Sequence, residues 1–436
     1  MTFYELAKNF KLPGPVIQAT RDYVERCFTS LFETTNFLEL SYPSVSKILN
    51  SSGLDITSEI EVIDAAKLWL GHLTKYRTKF AHNLLLKARL PLLSNHALLH
   101  LIDKLTSFFS VNHECVETLR EVLNSRDNFI RNNPDVSLVH RNCSHTKFSI
   151  LVCGGKTDRR TVNTVNKLHV SNFNNLAALP EMRKKRCHSE AVCLKGEVYL
   201  IGGNVSRGKK YKTSVEKYPL FGKKRTWKKV PSIPSKRQYF CACAFMNKII
   251  VLGGSLYLRR VSVVTSSCVQ FDTKKCKWKK VADMSQPRIN AACTLFEGNI
   301  VVAGGRSILN NVATPTVELY DAIADVWSPM ASMTSEKFCH SVVVNKGKLI
   351  IIGSGGQCSE IFDNTAKLFV AIKESTISSN LVISPKAISD GSKIIILQDG
   401  VSCITWYDVD NNEWSIEDCN ATKDLAFFSC VKVPLI

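Results

Sequence analysis

Two short histidine-bearing stretches come nearest to the spacing of a metal site in this 436-residue chain. His140, Cys143 and His145 bring three ligand types close together, but a structural zinc centre takes four donors and no fourth stands nearby. His96 and His100 have the four-residue spacing of two ligands on one helix face. The stretch reads HALLH, however, without the glutamate a metalloprotease needs after its first histidine, so both read as helix-face histidines. His169, His188 and His340 are scattered through the C-terminal two thirds. No glycine-rich phosphate loop leads into a helix, and no nucleophile, base and orienting group converge. The sequence assigns no catalytic residue, no metal and no cofactor, and points away from an enzyme.

Charge is the stronger signal. The net charge is +19, but it is unevenly placed: residues 156–280 hold 29 basic and 6 acidic side chains, whereas 281–436 hold 11 and 17. Hydrophobic residues make up 45% of the chain and charged residues 22%, enough apolar content for real cores. No apolar stretch is long enough to span a bilayer, and the N-terminus lacks the basic and apolar regions of a secretory signal. The expectation is a soluble cytoplasmic protein with no membrane partner. Sixteen cysteines without a CxxC pair fit small buried thiols in a reducing compartment better than a disulfide framework.

The elements that must carry these charges change character along the chain. From the N-terminus to about Leu123, apolar residues recur at helical spacing, as in Val24, Cys27, Phe28 and Leu31. Ser58 and Glu61 have the capping-box spacing at the start of a helix through Ile63, Ala66 and Trp69. Amphipathic segments follow around 74–86, 96–108 and 115–123. Polar residues with Asn132-Asn133-Pro134 then read as a linker over 124–146.

Beyond it, strand-like runs end in glycine again and again: SILVCGG, VYLIGG, IIVLGG, IVVAGG, LIIIGSGG and IIILQDG. The leading glycines Gly154, Gly202, Gly253 and Gly304 are 48, 51 and 51 residues apart, the period of a repeat architecture. Each later run is preceded by a short apolar strand and a tight turn (Lys195-Gly196, Glu297-Gly298, Lys346-Gly347), a hairpin signal. Downstream an aromatic pair recurs: Phe271 and Trp278, Tyr320 and Trp327, Phe362 and Phe369, Tyr407 and Trp414, with Tyr218 and Trp227 two residues wider. Glycine permits left-handed backbone and close approach, and the large rings fill the wedge between blades. Leu176 in repeat one, Phe369 in repeat five and Gln398-Asp399 in repeat six depart from the pattern. The first repeat lacks an innermost strand, and 427–433 resembles one. The expectation is that it completes blade one and seals the ring.

The double glycines with spaced Tyr and Trp resemble the kelch repeat over roughly the last 290 residues. Asn36–Leu40, Leu54–Leu70 and Arg89–Ser94 resemble the BACK domain of BTB-BACK-kelch proteins. The expected architecture is therefore multidomain, α and β: an all-α BACK-like domain over 1–123, a linker, and an all-β six-bladed kelch propeller over 147–436. The resemblance implies a substrate adaptor of a cullin-3 RING ubiquitin ligase, with actin binding as the alternative. Met1 falls about where that family's BTB domain has ended, so the cullin-3 scaffold is a partner if a BTB domain lies upstream; otherwise the propeller binds without recruiting. Some kelch propellers are copper oxidases, but their cluster of His and Tyr ligands has no counterpart here.

In such adaptors, partners meet the loops after the glycine strands and those leading into the innermost strands. Here these carry Arg159, Arg160, Arg183, Lys184, Lys185, Arg186, Arg207, Lys210, Arg237, Arg259 and Arg260, with Arg288, Arg306 and Lys337 from later repeats. Together they would form a positive crescent suited to an acidic protein segment. Nucleic acid ranks lower, since no aromatic interleaving accompanies the charge.

Overall fold

The computed structural model describes residues 14–134 and 148–434, except 55, 57, 94, 109–112, 158–159, 171, 205–212, 223, 259–260, 307–311, 354–357, 373–383, 392 and 420–424. The chain divides into two compact units, Met1–His145 and Thr146–Ile436. Among the described residues no helix is long and apolar enough to cross a membrane.

The first unit is helical. The capping box forms as the spacing predicts: the Ser58 hydroxyl accepts from the Ile60 amide, and Glu61 reaches back to the Ser58 amide, opening helix Glu59–His72. That helix carries Trp69 into the core, 1% exposed, where its indole donates to the Leu40 carbonyl at 2.8 Å. The Arg77 guanidinium lies 3.9 Å over the Trp69 ring and donates to the Leu38 and Trp69 carbonyls. Helices Asn95–Phe108 and His113–Asn124 follow. The expected linker begins too early: Ser125 caps a further helix, Arg126–Asn132, whose Phe129 is fully buried. Phe129, with half-buried Ile130 beside it, holds a two-turn helix whose other side chains are polar, which is why the composition reads as linker.

The second unit contains six four-stranded antiparallel sheets among its described residues, one per repeat. Blade two, for instance, runs outward through Glu190–Leu194, Glu197–Ile201, Val215–Pro219 and Lys228–Val230. The innermost strands of the later blades are Cys241–Phe245, Ala292–Phe296, Ser341–Asn345 and Lys386–Ser389. Blade one takes its innermost strand from the C-terminus: Ser429–Pro434 pairs antiparallel with Phe148–Cys153, Ser429 opposite Cys153 and Pro434 opposite Phe148. The six innermost strands touch one another in order, and those of blades six and two both touch Ser429–Pro434, so the ring is continuous.

The aromatic pairs sit directly opposite each other on the third and fourth strands, as for Phe271 and Trp278 and for Tyr320 and Trp327, with ring centroids 5.1 and 4.9 Å apart. Three tryptophans also tie blades two, three and four to the blade before. Trp227, Trp278 and Trp327 donate through Nε1 to the Pro180, Pro231 and Ala282 carbonyls at 2.8–2.9 Å. Phe369 and Leu176, at the corresponding positions, have no donor to offer. Phe369 keeps its ring against Phe362, centroids 5.1 Å apart, without the tie. Trp327→Phe is expected to lower stability by about 1 kcal/mol, the net worth of one hydrogen bond, with little change in packing; denaturant unfolding compared with the wild type measures it.

Candidate partner-binding face

The loop before each innermost strand decides which of the predicted cations face a partner. Arg186, Arg237, Arg288 and Lys337 stand at the same place in successive blades and are 0–1% exposed. Their main chains serve the preceding blade. In three of the four pairs the second glycine donates to the cationic residue's carbonyl, Gly155 to Arg186, Gly254 to Arg288 and Gly305 to Lys337, at 2.8–2.9 Å. A Cβ on the first glycine would lie 2.4–2.7 Å from the same carbonyl in the cases of Gly154, Gly253 and Gly304, all with positive φ. Their side chains serve their own blade. Arg186 donates to the Gly202 and Ser214 carbonyls and Glu216; Arg288 donates to the Gly304 and Thr316 carbonyls and Glu318. Lys337 pairs with Glu360.

Arg186, Arg237 and Arg288, expected on the rim, are therefore seam residues and are withdrawn from the crescent, as is Lys337. Carbonyls and a carboxylate take the place of water around the enclosed Arg186 guanidinium, although burial still lowers its pKa. Blade three varies the arrangement coherently. Val269 stands where Glu216 and Glu318 stand, and Pro234 where the Arg183 and Ser285 amides donate to those glutamates. Arg237 instead uses the Gly253 and Ser267 carbonyls and the Ser235 and Ser267 hydroxyls, and burial lowers its pKa.

Of the other predicted residues, Arg160, Arg183, Lys184 and Lys185 are exposed, as is Lys236 beside Arg237, and Arg306 is half-buried with its guanidinium 3.2 Å over the Phe338 ring. Arg159, Arg207, Lys210, Arg259 and Arg260, and the His140–Cys143–His145 group, lie outside the described residues. His96 and His100 share helix Asn95–Phe108, and no group of three His, Cys, Asp or Glu able to hold a metal occurs among the described residues. All fifteen described cysteines are free thiols.

The sequence did not reveal a collar at the start of the innermost strands. Phe427, His188, Tyr239, Asn290, Cys339 and Ser384, one per blade, all have left-handed backbone with φ between 46° and 56°. None is glycine, so each carries a strain of about 1–3 kcal/mol that its surroundings must hold. Hydrogen bonds around the ring do so: the His188 amide donates to Phe427 O, Asn290 to Tyr239 O and Cys339 to Asn290 O, each at 3.0 Å. Blades one to three place rings here, with His188 4.3 Å from Phe427 and 5.1 Å from Tyr239, while blades four to six place Asn, Cys and Ser. Lys156 lies over Phe427, which is 39% exposed. The aromatic half of the collar thus coincides with the exposed basic loops. Inside it, Glu190 and Lys386 begin two of the innermost strands. Burial works against the Lys386 charge, but Glu190, Cys430 and Asp399 outweigh it and hold the ammonium above its ordinary range.

A continuous ring of antiparallel four-stranded blades is the architecture of a β-propeller. The chain belongs to the kelch-repeat family: the family described as the KLHDC2/KLHL20/DRC7 Kelch-repeats domain matches residues 139–356, and BACK (BTB And C-terminal Kelch) matches residues 1–103. Kelch-like protein 36 of Bos taurus is 29% identical over 183 residues, 41% of this chain and 29% of that protein. Kelch-like protein 38 of Rattus norvegicus is 23% identical over 318 residues, 72% and 53% of the two chains. Spermatocyte protein spe-26 of Caenorhabditis elegans is 21% identical over 321 residues, 73% and 50%. The chain spans about half or less of these relatives.

Two histidines make the propeller acid-sensitive. Burial, reinforced by Lys337, lowers the pKa of His340 to about 3, and burial reinforced by Lys156 lowers that of His188 to about 4. Both stay neutral in the folded state and take up a proton on unfolding below about pH 6.5, so stability is present above that pH and falls as pH drops. For fully enclosed His340 the slope is about 1.4 kcal/mol per pH unit. Unfolding curves at pH 7.5 and 5 should show a smaller loss for His340→Gln than for the wild type.

Proposed function

We propose that this chain is a protein-binding adaptor whose propeller captures an acidic protein segment on the face that carries the collar. The observation that carries the proposal is the coincidence of the Phe427–His188–Tyr239 rings with half-buried Lys156, which lies over Phe427, and with the exposed cations Arg160, Arg183, Lys184, Lys185 and Lys236. Aromatic anchors bury area at low entropic cost, and a surrounding positive field steers an acidic chain towards them. Arg159, Arg207, Lys210, Arg259 and Arg260 belong to the same loops by sequence. The BACK and kelch resemblance supports a cytoplasmic place in a cullin-3 ubiquitin ligase, with the propeller as its substrate receptor.

Affinity capture with three baits tests this: the wild type, Arg183→Glu with Lys184→Glu and Lys185→Glu, and Phe427→Ala. Proteins held through acidic segments by the wild type should be lost from both variants. Retention of the same proteins by both variants would overturn the assignment of this face. Cullin-3 in the wild-type capture, undiminished by either variant, is the result expected of a ligase adaptor; its absence removes the ligase role and leaves the binding face standing.

A further inference from the structure

The outer edges of blades three and six are built on the same hairpin with opposite charge. In blade three the Asp272 carboxylate accepts from the Lys274 and Lys275 amides, Cys276 is left-handed, and the outermost strand Lys277–Val281 follows. In blade six the Asp408 carboxylate accepts from the Asp410 and Asn411 amides, Asn412 is left-handed, and Glu413–Asp418 follows. The first hairpin exposes Lys274, Lys275, Lys277, Lys279 and Lys280; the second exposes Asp410, Glu413, Glu417 and Asp418. Each outermost strand has a neighbour on one side only and presents backbone donors and acceptors on the other.

Lysine on an edge strand commonly serves to discourage pairing. That need does not account for this pattern, because other edges of the same ring manage without it: blade one has Asn172–Leu179 and blade four Val326–Met330, neither with a charged residue. Blades three and six are also half a turn apart in the ring, so the two charged edges face opposite ways.

We infer that a second copy of this chain docks on the basic edge of blade three through the acidic edge of blade six. Such a contact is heterologous, leaves one basic and one acidic edge free, and extends into chains of discs instead of closing as a symmetric dimer. Strand pairing over five or six residues falls short of the roughly 1,000 Å² of a stable interface, so the association is weak and salt-sensitive.

Sedimentation velocity of the full chain over a concentration series, at low and high ionic strength, tests this. The wild type should form larger species with rising concentration at low salt and revert at high salt. Reversing blade three (Lys277→Glu, Lys279→Glu, Lys280→Glu) or blade six (Glu413→Lys, Glu417→Lys, Asp418→Lys) should each weaken association at least about tenfold. An equimolar mixture of the two variants should restore it, which separates loss of complementarity from loss of folding. A wild type that stays monomeric throughout overturns the inference. So does loss of association on reversing blade three but not blade six, the pattern of a basic edge meant for another acidic partner. Binding at the collar face is unaffected by either outcome.

Discussion

The ring depends on what happens where one blade hands the chain to the next. At three of these places, before blades two, four and five, a cationic residue turns its carbonyl towards the glycine pair of the preceding blade and its side chain into the blade it introduces. The glycines are needed because that carbonyl approaches within 2.4–2.7 Å of where a Cβ would be. The cation serves the strand ends, where the Gly202 and Ser214 carbonyls accept from the Arg186 guanidinium. One residue thus satisfies two blades at once. Removing a glutamate partner would strand a charge in the interior, the costly half of a buried ion pair.

Seen this way, the basic character of the propeller has two unrelated origins. Some cations are mortar: enclosed, hydrogen-bonded and unavailable to any partner. Others, in the loops around blades one to three and on the outer edges of blades two and three, meet solvent and shape the field outside. Net charge lumps the two together. Only the second kind bears on recognition, and it falls beside the aromatic half of the collar. There the left-handed backbone at six non-glycine residues is held by neighbours across blade boundaries, so the collar's geometry belongs to the closed ring and not to any one repeat.

Much of the architecture was legible because it is periodic. Four glycine-terminated strands at a spacing of 48–51 residues, aromatic pairs seven apart and a leftover strand at the C-terminus predict blades, their wedges and the pairing of Ser429–Pro434 with Phe148–Cys153. The capping box at Ser58 was legible for the same local reason. The fate of Arg186, Arg237 and Arg288 was not, although a trace existed. They recur at intervals of 51, the period of the glycines themselves, and Arg186 and Arg288 each have a glutamate thirty residues on. A residue in step with the scaffold belongs to the scaffold.

By itself, then, the sequence determined the elements and their order, since hairpin turns, strand alternation and repeat length are properties of neighbouring residues. It also determined where charge accumulates along the chain. Whether a given arginine faces water or a blade seam was decided only by the tertiary structure. So was the meeting of Phe427, His188 and Tyr239 from positions up to 239 residues apart. The physical reason is that burial and hydrogen-bond partnership are set by groups that closure of the ring brings together, and no local pattern in the chain encodes which of them will meet.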